Sequence, residues 1–183
     1  MQIHLDMSTF VLISAQVAAP SSPYPMPPQF DPAPKEVVSF IRKYNTNLGG
    51  YLDSGTSSLV VRPIDLNDDE HPEIIVEARG QVCGAANCPA WVLSKSGGDY
   101  ELLLDIYAEQ SIQVLPSKTN GYADLLVAMH GSAFEYTEVL YKFAGAGYGS
   151  ARCTDVSYQY ADADGVFREH KKPQRTECRQ YAK

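Results

Sequence analysis

The sequence is short of the residues that would suit it to nucleic acid or to a membrane. Its 15 Lys and Arg face 22 Asp and Glu, a net charge of −7, and no basic stripe offsets the acid excess locally. Such a chain repels phosphate backbones, so we expect no nucleic-acid partner. The longest apolar run near the start, Phe10 to Ile13, lies within Ser8 to Ala19. A membrane span needs about 20 apolar residues, so we expect none here.

The common catalytic signatures are absent as well. The chain has no Gly-x-Ser-x-Gly elbow, no phosphate-binding loop, no Gly-x-Gly-x-x-Gly and no His-Glu-x-x-His. His130 and Ser132 lie two apart on a predicted strand, which puts them on one face without orienting them for proton transfer. Zinc is disfavoured because no Cys-x-x-Cys or nearby histidine pair completes a tetrahedral set. This scarcity of paired catalytic groups favours a binding protein over an enzyme.

The four cysteines form an even set, which in an exported chain predicts two disulfides among three possible connectivities. We favour Cys83 with Cys88, because the small residues between them let the two sulfurs approach. We then pair Cys153 with Cys178, which would pin the basic C-terminal tail to the preceding strand.

The N-terminus favours export. Residues 1–19 resemble a signal peptide, with an apolar core that ends in the small residues Val17, Ala18 and Ala19. We therefore predict a secreted or periplasmic protein. The alternative is an apolar N-terminal arm that is not removed.

The chain divides into the candidate signal segment, a linker and one domain. Residues 20–34 contain seven prolines, which favour extended, solvated backbone and cannot build a core. Residues 35–183 follow as a single α+β domain. Apolar residues spaced three to four apart predict one amphipathic helix over residues 35–47, which the glycines Gly49 and Gly50 should end.

The rest of the domain reads as strands. Short runs rich in Val, Ile, Leu and Tyr alternate with Gly, Asn, Asp and Pro clusters, with no helical stretch between them. We therefore predict an antiparallel meander, a curved sheet or a partly closed barrel, with the helix against one face. The expected strands are Ser58 to Asp65, Glu73 to Ala78, Ala90 to Ser94, Tyr100 to Tyr107, Ile112 to Leu115, Asp124 to Met129, Tyr136 to Phe143 and Ala151 to Tyr160.

A weak internal repeat runs through these strands. Glu73 to Val76 followed by Gly80 matches Asp124 to Val127 followed by Gly131, at a constant offset of 51 residues. Each copy continues to a Gly-x-x-Tyr turn. The pattern indicates a duplicated strand-turn-strand unit, in too few copies for a propeller of about 4–8 blades.

One segment has the pattern of a calcium loop. From Asp65, oxygen-bearing side chains recur at every second position and a carboxylate closes the ninth, which lets a tight loop turn its oxygens towards a hard cation. The segment resembles the calcium loop of FG-GAP and VCBS repeats, which leads straight into an apolar strand. The resemblance implies calcium ligands from the His71 carbonyl and from the side chains of Asp65, Asn67, Asp69 and Glu73.

The loop departs from that family at two points. Glu70 stands where the family has glycine, so a residue with a β-carbon must make the sharp bend. The second repeat copy also lacks the acidic triplet. The alternative is an acidic turn in which Asp and Asn side chains cap backbone groups and no metal binds.

A second segment, Asp53-Ser54-Gly55-Thr56, resembles the active-site turn of aspartic proteases. That chemistry needs two such aspartates sharing one proton. Since the sequence has one copy, the resemblance implies a homodimer in the retropepsin manner. Leu125 to Gly131 would then stand in for that family's apolar-apolar-Gly segment. The alternative is an ordinary loop after the helix.

Tyrosine is the most abundant aromatic residue, with 12 Tyr against 6 Phe and 1 Trp. An exposed tyrosine patch suits a protein or glycan ligand, whereas β-propensity alone would place the rings on half-buried edge strands. We expect an exported, non-catalytic binding or inhibitor-type module that recognises a protein or glycan, with calcium as the candidate ion. The alternatives are a small hydrolase, most concretely the dimeric protease built on Asp53, and a structural domain of an envelope assembly.

Overall fold

The computed structural model describes residues 29–108 and 112–178. The candidate signal segment lies outside these ranges, as do most of the linker and the end of the basic tail. The strands are β1 (Asp31–Pro32), β2 (Ser57–Ile64), β3 (Glu73–Gly80), β4 (Cys88–Ser96), β5 (Asp99–Ala108), β6 (Gln113–Thr119), β7 (Tyr122–Ser132), β8 (Glu135–Phe143), β9 (Tyr148–Ala161) and β10 (Phe167–Glu177). The helices are α1 (Lys35–Tyr44) and α2 (Gly49–Asp53), with a 3-10 turn at Thr46–Leu48 between them.

The predicted antiparallel meander is confirmed. Strands β1 to β5 form one five-stranded sheet and β6 to β10 form a second, with each strand hydrogen-bonded to the next along the chain. Two-residue turns make this possible: Gly97–Gly98 and Asn120–Gly121 have positive φ throughout, which matches the right-handed twist of paired strands. The strands curl into a half-barrel.

The first sheet is buried on both faces. Along β3, Ile75 contributes to a core shared with the second sheet, whereas its neighbour Val76 contributes to a core shared with α1. Successive side chains of a strand point to opposite faces, so a strand covered on both sides needs a continuous apolar run. The core between the sheets includes Ile75, Val92, Leu104, Leu125 and Val127.

The helical region differs from the prediction at its end. Helix α1 buries Val37 and Ile41 as expected but ends at Tyr44, and a second helix follows. The glycines expected to stop the helix instead begin α2, because Gly49 adopts an ordinary right-handed helical conformation with φ −53° and ψ −47°. In the described part of the chain, no helix is long and apolar enough to cross a membrane.

The two repeat copies occupy corresponding strands. Glu73 begins the repeat on β3 and Asp124 begins it on β7, and each lies second in a run of four consecutive antiparallel strands, β2–β5 and β6–β9. Both carboxylates are 3% exposed and both have partners: Glu73 accepts from Leu66 N, and Asp124 accepts from Ser117 Oγ.

Both predicted disulfides are confirmed. Cys83–Cys88 closes a short loop between β3 and β4, and Cys153–Cys178 joins β9 to the residue that follows β10. The second bridge is fully buried, since each of its cysteines is 1% exposed. With all four sulfurs in disulfides, no thiolate is left for zinc.

The basic tail forms a strand that the sequence did not predict. Phe167–Glu177 pairs with β9 as the outer strand of the second sheet, with a break in register between Glu169 and Gln174. It was missed because charged residues and Pro173 interrupt it, and such residues are tolerated on an edge strand with one free side.

We predict that Leu125→Ala lowers the free energy of unfolding by about 2–5 kcal/mol, because it leaves a cavity in the core between the sheets. Leu125 is 0% exposed, whereas its neighbour Leu126 on the opposite face of β7 is half-buried. Leu126→Ala is the matched control and should cost clearly less. Urea unfolding of the two variants measures the difference, and equal losses would contradict the assigned core.

Candidate functional site

The acidic loop between β2 and β3 is organised around one carboxylate. Asp65 Oδ1 accepts the backbone N–H of Asp68 at 2.7 Å and those of Asn67 and Asp69 at 3.3 Å each, and Oδ2 accepts the N–H of Glu70 at 3.0 Å. Partial desolvation opposes ionisation of Asp65, but these backbone donors together outweigh it and lower the pKa of its carboxyl. The loop therefore has a fixed negative centre.

The sharp bend is made by non-glycine residues, as the sequence indicated. Asp68 and Glu70 adopt φ of 62° and 67°, in the left-handed region that costs a residue with a β-carbon about 1–2 kcal/mol. Asp68 is also ion-paired with Lys118 of β6, which ties the loop to the second sheet. Backbone contact adds to this, because Ala123 N donates to Leu66 O at 2.7 Å.

Glu73 closes the loop from a buried position. Its Oε2 accepts the backbone N–H of Leu66 at 2.9 Å. Burial is the main reason that the pKa of its carboxyl is raised, and the charges of Asp69 and Asp65 add to the increase. Among the described residues no ion pair involves Glu73, and a cation in the loop would offset the charge of its ionised form.

The four predicted calcium-ligand side chains lie on this one loop, and hydrogen bonds within it use several of their oxygens. Asn67 Nδ2 donates to Asp69 Oδ2 at 2.8 Å, and Asp69 Oδ1 accepts from His71 N at 2.8 Å. Within the described residues, the carboxylates of Asp65, Asp69 and Glu73 do not form a set of ligand atoms that all lie within 4.8 Å of one another. The set of His, Cys, Asp or Glu that does is Cys153, Asp155 and Cys178, and its two sulfurs are joined in a disulfide.

The segment that resembles the aspartic-protease turn lies elsewhere, on the surface. Asp53 is the last residue of α2 and pairs with Arg42 of α1 at 2.6 Å, with its side chain 65% exposed. The adjacent Ser54 and Thr56 hydroxyls are hydrogen-bonded to each other at 2.8 Å. Leu52 of α2 packs in the helix-side core, whereas Leu125 packs between the sheets, so the fold separates the two segments of the protease resemblance.

A groove lies on the second sheet within the described ranges. Its volume is about 460 Å³, and it lies across β8, β9 and β10. The lining residues are Gly131, Glu135, Tyr136, Thr137, Asp155, Val156, Ser157, Gln159, Tyr160, His170, Gln174 and Thr176.

The polar floor of the groove follows from strand register. Asp155, Ser157 and Gln159 alternate along β9 and therefore share a face. Cross-strand partners share a face as well: Asp155 pairs with Thr137 and Thr176. Thr137 Oγ1 donates to Asp155 Oδ1 at 2.7 Å, which fixes the centre of the floor.

A break in β10 forms one wall of the groove. Residues 170–173 bulge between the pairs Glu169–Gln159 and Gln174–Ser157, so four residues stand opposite one on β9. The bulge brings the ring of His170 against that of Tyr160, with centroids 4.7 Å apart. Tyr160 is 44% exposed and, by the alternation along β9, belongs to the row opposite to Asp155, Ser157 and Gln159, so this stacked pair offers a ring surface separate from the polar floor.

Sequence reasoning missed the groove but not its signals. The abundance of tyrosine suggests an exposed patch, and Tyr158 and Tyr160 are exposed, whereas Tyr148 is half-buried and donates its hydroxyl to Ala123 O. The alternation of Asp155, Ser157 and Gln159 could have indicated a polar face. The bulge in β10 could not have been found, because it depends on pairing between two strands.

Comparison with known proteins gives no relative. No family model matches the chain, and neither the curated proteins nor the solved structures contain a significant match.

We predict that Asp162→Asn destabilises the β9–β10 turn at neutral pH. Asp162 accepts the N–H groups of Val166 and Asp164 and pairs with Arg168, and these contacts lower the pKa of its carboxyl, the Val166 N–H most strongly. The stabilisation should be present above the unfolded pKa of about 3.9 and lost as the pH falls through the lower folded pKa.

Urea unfolding of wild type and Asp162→Asn from pH 7 down to about pH 2.5 measures this effect. The difference in unfolding free energy should shrink on acidification. Asp99→Asn, on the exposed end of β5, controls for the loss of one charge. A difference that stays constant with pH would contradict the role given to Asp162.

Proposed function

We propose that this chain is an exported, non-catalytic binding module that recognises a neutral glycan in the groove across β8, β9 and β10. The observation that carries the proposal is the composition of the lining, which consists largely of hydroxyl, amide, carboxylate and ring side chains with no Lys or Arg. Binding sites of this kind fix a ligand through a few convergent polar groups.

The charges of the groove favour a neutral ligand. Glu135 and Asp155 place two carboxylates in the lining, whereas Lys171 and Lys172 of the bulge and Arg175 of β10 lie close by without being lining residues. An anionic ligand would be repelled, whereas sugar hydroxyls can donate hydrogen bonds to carboxylates. Ser157, Gln159 and Gln174 supply further donors and acceptors.

The rings supply the apolar part of the contact. Tyr160 stacks with His170, and Tyr136 lines the same groove 6.1 Å from the ring of Tyr158, centroid to centroid. Rigid aromatic faces add contact area at a small entropic cost, which suits the apolar face of a sugar ring. Protein ligands remain the second class that such a surface could bind.

The disulfides support the proposed location. Two disulfides indicate an oxidising environment, because cytosolic thiols are kept reduced. We propose secretion or transfer to the periplasm through residues 1–19.

We predict that Tyr160→Ala weakens glycan binding at least about tenfold, which corresponds to about 1.4 kcal/mol. An array of neutral oligosaccharides identifies a probe, and calorimetry with that oligosaccharide gives the Kd of each variant. Tyr107→Ala is the matched control, since Tyr107 is 56% exposed on β5 and does not line the groove.

The proposal fails if wild type binds no neutral oligosaccharide, or if Tyr160→Ala and Tyr107→Ala bind equally well. Recovery of the probe after incubation tests the non-catalytic part. An intact oligosaccharide supports a binding module, and a cleaved one shows a hydrolase.

We also propose that calcium stabilises the acidic loop through Asp65, Asn67, Asp69 and Glu73. The buried carboxylate of Glu73 supports this, together with the placement of all four side chains on one loop fastened to the second sheet. The proposed role is structural, because the loop lies between β2 and β3 of the first sheet, whereas the groove lies across β8 to β10 of the second.

We predict that millimolar Ca²⁺ raises the Tm of wild type and leaves that of Glu73→Gln unchanged. Calcium at about 100 times its Kd would add about 2.7 kcal/mol to the stability. Glu70→Gly is the matched control: it removes the strained residue at φ 67° and keeps all four ligands, so its response should persist. An unchanged wild-type Tm at about 5 mM Ca²⁺ would contradict the proposal, since sites in extracellular modules bind at about 0.1–1 mM.

A further inference from the structure

A side chain from the loop between β3 and β4 hydrogen-bonds to the backbone of the second sheet beside the groove. Asn87, in the loop between β3 and β4, donates from Nδ2 to His130 O at 2.9 Å and accepts the His130 N–H on Oδ1 at 2.7 Å. The two residues are 43 positions apart in the chain. One carboxamide therefore satisfies both backbone groups of a β7 residue, as a neighbouring strand would.

The held residue adjoins the groove at an irregular point of the sheet. His130 precedes Gly131, which lines the groove. The pairing of β7 with β8 shifts register between His130 and Ser132, so the regular ladder is interrupted at Gly131. A β-carbon at Gly131 would lie 3.4 Å from Glu135 O, which shows how closely this backbone approaches another lining residue.

The Cys83–Cys88 disulfide constrains the position of Asn87. It closes a loop across five positions of the chain, and Asn87 directly precedes Cys88. Within the loop, Gly84 N donates to Asn87 O at 2.9 Å. These constraints reduce the conformational entropy that Asn87 loses when its carboxamide bonds to the second sheet.

We propose that Asn87 is a positioning residue for the groove: through its paired hydrogen bonds to His130, it sets the Gly131 edge against which the ligand lies. Asn87 does not line the groove and acts only through this backbone. The inference rests on the proposed function, because it assigns a role in binding at the same site.

The chemistry of the carboxamide gives a specific test. Asn87→Asp keeps the acceptor for the His130 N–H and loses the donor to His130 O, placing a carboxylate oxygen against a carbonyl oxygen. That contact raises the pKa of the new carboxyl, so acidification protonates it and restores a donor. Asn87→Ala loses both bonds at every pH.

The Kd for the oligosaccharide probe is measured at pH 7 and at about pH 4, each variant against wild type at the same pH. Both variants should bind about tenfold more weakly at pH 7. At the lower pH, Asn87→Asp should return to within about twofold of wild type and Asn87→Ala should not. Asn120→Asp is the matched control, because Asn120 Nδ2 donates to Phe143 O at 2.8 Å away from the groove.

Amide hydrogen exchange of residues 129–137 without ligand gives an independent readout. Asn87→Ala should speed exchange there and leave residues 57–64 unchanged. If wild type binds no glycan but exchange rises, the proposed function fails and the positioning of this edge stands. If wild type binds and Asn87→Ala neither weakens binding nor speeds exchange, the inference about Asn87 is overturned.

Discussion

The apolar face that the two sheets share must be kept from water, and the other features are arranged around that requirement. Leu125 and Val127 of one sheet meet Ile75 and Val92 of the other, and all four are 0% exposed. Burial of this kind is the main favourable contribution to folding. Within the described residues, helix α1 covers the outer face of the first sheet.

The groove begins where the apolar face shared by the two sheets ends. Val139 and Cys153 are cross-strand partners and fully buried, and one pair further along the same face lie Thr137 and Asp155. The buried Cys153–Cys178 bridge therefore stands at the boundary between core and polar floor. Since it also fixes the end of β10, it holds in place the strand whose bulge forms the groove wall.

Much of the fold was predictable because it depends on local pattern. Alternating apolar runs predicted the antiparallel strands, the small residues between Cys83 and Cys88 predicted their pairing, and the repeat predicted two corresponding strand units. Local pattern failed at Gly49, where glycine was expected to end a helix and instead begins one. A glycine permits many conformations, so its neighbours in the fold decide which is used.

The sequence by itself determined helix α1, the strands β2 to β9, the disulfides and the acidic loop, since each follows from residues close together in the chain or from the few pairings four cysteines allow, but it did not predict β1, α2 or β10. Only the tertiary structure decided the groove and the Asn87–His130 contact. Both join residues from separate strands, and their geometry depends on register and on how two sheets approach each other. Neither the strand register nor the approach of the sheets can be predicted from the spacing of residues within one segment, because both depend on which strands pair and pack together.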